Sequence, residues 1–167
     1  MSPDNAGFKA TDSGPRVRRL NAAPVRTSGE FVLYWMVQAR RPFHSFPLDR
    51  AVDWAKELGR PLMVFEPLRC DYPWASDRLH RFVIDGMESN RRAFQDLPVC
   101  YYPFVEPGPG QTRALLDALS ARACIIVTDD YPCFFLPQAI AAAAQRLPVA
   151  LESVDGNGIL PLATADR

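Results

Sequence analysis

The sequence predicts an α/β fold: a doubly wound sheet of five parallel strands with helices on both faces. Three observations carry this. Short apolar runs rich in β-branched and aromatic residues recur at 31–37, 61–67, 98–105, 123–130 and 148–155. Runs apolar at successive positions are buried on both faces, as in parallel strands. Stretches of helical period separate them, and right-handed crossovers then place helices on both sides of the sheet.

Each element has its own signals. Residues 1–29 are rich in Pro, Gly, Ser, Asp and Arg without a period, and read as a flexible N-terminal arm. The first strand, "FVLYWMV", ends in Gln38, Arg40 and Arg41. "PLDRAVDWAKELG" opens a helix with Pro47 and closes it at Gly59. Its stripe is Leu48, Ala51, Val52, Ala55 and Leu58, with Trp54 off it, as rim packing or a docking face. "PLMVFEP" is the second strand. A helix over about 75–96 follows, with Leu79, Phe82, Val83, Met87 and Phe94 on one face. Asp77/Arg81 and Glu88/Arg92 are spaced for surface pairs. "PVCYYPFV", the helix after "PGPGQT", "ACIIVTDD", "LPQAIAAAAQRL" and "PVALESVD" complete the alternation.

Composition narrows function. The chain has 167 residues and zero formal net charge, so charge makes no case for nucleic acid or an anionic membrane. None of its four cysteines forms a CxxC pair, and Cys100 and Cys124 read as buried hydrophobes. Without a signal peptide, a cytoplasmic location is expected. No GxGxxG follows the first strand and no GxxxxGK[ST] occurs, which argues against a standard dinucleotide fold and a triphosphate loop. His44 and His80 lack partners at metal spacing, so no metal is expected.

The remaining polar residues fall at the carboxyl ends of strands, where open α/β sheets bind ligands. Gln38, Arg40, Arg41 and His44 follow the first strand. Asp129 and Asp130 end the fourth, as ligand contacts or as a cap. Asp155 and Asn157 end the fifth, as turn formers or ligand contacts. "PGPGQT" is either a turn or a nest of amides for an anion. Tyr72 and Trp74 flank the long helix and read as closing the core edge. No catalytic set assembles from these residues.

The order of several motifs then takes on a meaning of its own. "RVRRLN", "VLYWMVQARR", "PLMVFEPLRCDYPWASDRLHRFVIDGM", "VTDDYPCFFLP" and "VDGNGILPL" follow one another over residues 16–167. This series resembles the N-terminal α/β domain of the DNA photolyase/cryptochrome family, closest to class II cyclobutane pyrimidine dimer photolyases. The resemblance implies a Rossmann-like sheet of order 3-2-1-4-5 over residues 30–167. It implies an antenna chromophore, a deazaflavin or a folate, in a crevice formed by Gln38, Arg40, Arg41, His44, Asp129, Asp130, Asp155 and Asn157. It further implies that FAD and damaged DNA bind a separate helical domain, in cis or on another chain. The parent would be a light-dependent DNA-repair lyase and this chain, a flavoprotein fragment, not catalytic alone. Ser45 stands where the family often has Asn. With that strand order, the Arg pair and the Asp pair are expected to face each other across the crevice, around a planar chromophore or as a structural ion pair. A stand-alone nucleotide-binding or sensing module is the alternative.

Overall fold

A computed structural model describes residues 14–164. The strands are β1 (Val17–Arg19), β2 (Phe31–Trp35), β3 (Leu62–Leu68), β4 (Val99–Val105), β5 (Ala123–Asp130) and β6 (Leu151–Asp155). The helices are α1 (Phe46–Leu58), α2 (Asp77–Phe94), α3 (Gln111–Ser120) and α4 (Leu136–Arg146). One sheet runs β1-β6-β5-β2-β3-β4. The pairs β2–β3, β2–β5, β3–β4 and β5–β6 are parallel. The five expected strands are thus β2 to β6, in the expected order.

The strand count requires correction from five to six. The added strand, β1, lies inside the arm expected at 1–29 and pairs antiparallel with β6, Val17 opposite Val154. Residues 1–13 of that arm lie outside the described residues. The chain reaches β2 through Gly29, whose backbone presses on β5. A Cβ there would stand 2.6 Å from the Cys124 nitrogen, so only glycine fits without a shift.

Strand alternation splits the core in two. Val32, Tyr34 and Met36 face one side, with Leu48, Ala51 and Trp54 of α1 and Phe94 of α2. Phe31, Leu33 and Trp35 face the other, with Leu116 and Leu119 of α3 and Ile140 and Ala143 of α4. Helices therefore cover both faces.

Local chemistry fixes the helix ends. Ser45 caps α1 by accepting from the Leu48 amide at 3.3 Å, and Gly59 ends it at φ 61°. Trp54 is buried, not at a rim, and its Nε1 donates to Glu152 at 2.8 Å. Arg50 of the same helix meets Glu152 at 2.9 Å, so α1 is pinned to β6 by a buried ion pair.

Three sequence readings fail on α2 and β4. On α2 the expected apolar face is buried only at Met87 and Phe94, while Phe82 is 78% exposed. Glu88 pairs with Arg92 as expected, but Arg81 pairs with Asp85 and not with Asp77. Cys124 is buried, whereas Cys100 is exposed because β4 is an edge strand.

Candidate functional site

The switch in strand order falls between β2 and β5, and the chain leaves β2 there through residues 36–45. Asp129 holds this exit. Its Oδ2 accepts from the amides of Val37 and Gln38 at 2.8 and 3.0 Å, and its Oδ1 from the Tyr34 hydroxyl at 2.9 Å. Burial pushes the carboxyl up to about 6 against these donors. Burial, then the nearby Asp129 charge, pushes the Tyr34 hydroxyl well above its ordinary range.

Two cavities open on either side of that clamp. The first, of 270 Å³, is polar and is lined by Gln38, Arg41, Asp129, Asp130, Asn157 and Ser45, among others. Five of the eight sequence-nominated residues therefore share one opening. Asp155 supports it from below. Its Oδ1 accepts from the Asn157 amide at 2.9 Å and its Oδ2 from Leu162 at 2.6 Å. Burial raises the Asp155 carboxyl, but these donors prevail and hold it below its ordinary range. Asp155 is thus committed to the turn, and Asn157 bridges it to the Asp130 carbonyl.

Arg40 departs from the expected meeting with the Asp pair. Its guanidinium reaches Glu66 at 3.1 Å and the Pro67 carbonyl at 2.8 Å. Glu66 is fully buried and also accepts from Asn90 and Tyr101. Asp130 pairs instead with Arg18 of β1, at 3.1 Å. The expected ion pair is therefore replaced by partners on β3 and β1. The cause is the loop, where Ala39, Arg40 and His44 all have positive φ and turn adjacent side chains apart. His44 lines neither cavity.

The second cavity, of 370 Å³, is mostly apolar. It lies beyond the ends of β2 and β3, under the first turns of α2 and α4. Its aromatic wall comprises Trp35, Tyr72, Trp74, Phe134 and Phe135, and Gln38 and Arg40 reach it from the loop. Trp74 meets Phe134 edge-on at 6.1 Å, and Tyr72 stacks on Phe135 at 5.9 Å. Trp74 and Phe134 both hold positive φ, 66° and 61°, a strained state for bulky side chains. Sequence reasoning assigned Tyr72 and Trp74 to the core edge and passed over the Phe pair. The signal was there, in aromatic residues clustered after two strand ends.

At the N-terminus of α3, where "PGPGQT" reads as a turn or an anion nest, the group held is the protein's own carboxylate. Glu106 accepts from the Thr112 amide at 2.8 Å and from the Cys70 amide at 2.9 Å. Burial raises this carboxyl, yet those amides outweigh it and the group sits below its ordinary range. Cys70, Asp71 and Glu106 bring possible ligand atoms within 4.8 Å of one another, but both Glu106 oxygens already cap backbone.

Four buried side-chain polar atoms among the described residues have no hydrogen-bond partner. Trp35 Nε1 and Thr112 Oγ1 belong to residues lining the aromatic cavity. A third, His80 Nε2, belongs to a ring packed on Tyr72 at 5.4 Å. The fourth is Ser153 Oγ, on β6.

These features define a Rossmann-like α/β domain with a ligand-sized aromatic cavity at the carboxyl end of its sheet. Among the described residues, no hydrogen bond joins a Ser, Thr or Cys side chain to a histidine. No helix among the described residues is long and apolar enough to cross a membrane. No family model matches the chain. It is 29% identical over 150 residues to the deoxyribodipyrimidine photo-lyase of Methanothermobacter thermautotrophicus, a match covering 90% of this chain and 33% of that protein. The similarity supports a photolyase-like domain, and the chain spans about a third of its relative's length.

Proposed function

We propose that this chain is the N-terminal α/β domain of a class II-like deoxyribodipyrimidine photolyase, and that its aromatic cavity holds a planar antenna chromophore, a deazaflavin or a folate. The observation carrying this is the 370 Å³ apolar cavity walled by five aromatic side chains at the carboxyl end of the sheet. Ligand pockets of about 300–1,000 Å³ with aromatic walls and few polar groups suit planar heterocycles. Bound there, a chromophore would supply light absorption. The chain's own residues would sandwich its ring, exclude water and hold its edge. The parent protein would repair pyrimidine dimers through FAD and damaged DNA on a helical domain, in cis or on another chain.

The alternative of a nucleotide-binding module is disfavoured by α3. Its N-terminus, the natural phosphate cradle, is filled by Glu106. The test is fluorescence titration of the purified chain with a deazaflavin, riboflavin and a reduced folate. Saturable binding lost in Phe135→Ala supports the proposal. Failure of all three to bind refutes the antenna role. Incubated with FAD and irradiated dimer-containing DNA, the chain alone is expected to remove no dimers. Light-dependent dimer loss would refute its non-catalytic status.

A further inference from the structure

We propose that Trp74 and Phe134 form a gate across the aromatic cavity, which parts to let a chromophore in or out and closes over it in between. The inference rests on the reading of this cavity as a chromophore site and adds how access to it is controlled.

The two rings come from loops that only the sheet brings together. Trp74 lies between β3 and α2, and Phe134 between β5 and α4. Both strands pair with β2, which runs between them. The two loops therefore start about 10 Å apart, two strand spacings, on either side of the β2 exit. Their rings nevertheless meet edge-on at 6.1 Å, so the contact bridges that exit. Trp35, Trp74 and Phe134 all line the one cavity, and depth separates them. Trp35 is 7% exposed and stands at the inner end, whereas Trp74 and Phe134 are 75% and 66% exposed and stand on the solvent side. Tyr72 and Phe135 form a second, half-buried pair between the same loops, stacked at 5.9 Å.

The side chains with the fewest anchors are the ones to move. Gln38 is fixed through its amide to Asp129, and Arg40 through Glu66 and the Pro67 carbonyl. Phe135 is held by Tyr72 and by Arg69, whose guanidinium lies 5.2 Å from its ring. Phe134 has Tyr131 stacked on it at 6.4 Å. Among the described residues the Trp74 ring meets no aromatic ring but Phe134, and its indole makes no hydrogen bond. Trp74 is therefore the leaf that moves. The backbone supplies the hinge. Trp74 and Phe134 hold φ of 66° and 61°, a region that bulky side chains rarely occupy. Rotation to negative φ relieves that strain and swings the ring aside, so the closed form is poised and not locked.

Stopped-flow fluorescence with riboflavin, on the purified chain and on Trp74→Ala, tests the gate. A gate that closes over the cavity both before and after binding slows entry and exit by one factor and leaves the equilibrium alone. Trp74→Ala is therefore expected to bind and to release riboflavin about tenfold faster, with its Kd within about threefold of wild type. Tyr72→Ala, a change in the wall, is the control and is expected to speed release alone. Faster release from Trp74→Ala with unchanged association makes Trp74 a wall contact and overturns the gate, as do rates equal to wild type, while the cavity reading stands. Should riboflavin not bind, a deazaflavin or a reduced folate takes its place, and failure of all three overturns gate and chromophore site together. Should Trp74→Ala not fold, Phe134→Ala decides the question by the same two rates.

Discussion

Replacing Asp129 with Asn should make the protein respond less to pH, and the clamp at the end of β2 says by how much. Burial raises the folded carboxyl from 3.8 to about 6. Between those values the folded chain binds more protons at this site than the unfolded chain. Stability from this group is therefore full below pH about 4 and falls as pH rises through about 6. A shift of roughly 2 units corresponds to about 3 kcal/mol. The amide of Asp129→Asn cannot ionise. Its carbonyl can still accept from Val37 and Gln38, and its amino group can donate to the Tyr34 oxygen. Urea denaturation of both proteins at pH 4, 5, 6 and 7 gives the difference, in which other titrating groups cancel. Wild type is expected to lose about 3 kcal/mol relative to the variant across that window. Asp129→Ala should instead lose about 3 kcal/mol near neutral pH, because two amides and a phenol lose their acceptor. Parallel stability curves for wild type and Asp129→Asn would refute the account of a carboxyl strained by burial.

Other consequences are equally open to measurement. Gly29→Ala forces a methyl against the β5 backbone and is expected to cost about 1–3 kcal/mol in urea denaturation. Glu152→Ala strands Arg50 and the Trp54 indole in the core, for a loss of about 3–5 kcal/mol. Phe134→Gly should relieve a positive φ and raise the melting temperature of the free chain while weakening chromophore binding. Under native conditions a thiol reagent should modify Cys100 and Cys133 quickly and Cys124 only on unfolding, as peptide mapping would show.

The strands were legible because burial on both faces writes an unbroken apolar run, and β2 and β5 show it most plainly. β1 was not, because three residues with two arginines on a sheet edge carry no such signature. Of the site, position along the chain could be read but side-chain direction could not. Arg40 and Arg41 are neighbours in sequence, yet one turns to Glu66 and the other lines the polar opening. That divergence comes from backbone angles at Ala39 and Arg40, which composition does not announce. The aromatic wall escaped for a related reason. Tyr72 and Phe135 lie on separate loops, and only the completed crossovers bring them together.

Every open sheet has two unfinished borders, each a row of hydrogen-bonding groups on which a stray chain could nucleate. Here both borders are blunted. The β6 side is sealed by the short antiparallel Val17–Arg19, whose arginines put charge where a newcomer would dock. On the β4 side Pro103 sits in mid-strand and withholds a donor, so the ladder cannot be extended without a gap. Sheet growth is thus discouraged at each end by a different device, one a charged hem and the other a missing rung. A deletion that removed residues 14–21 would undo only the first, and its signature would be self-association through β6 rather than loss of the parallel core.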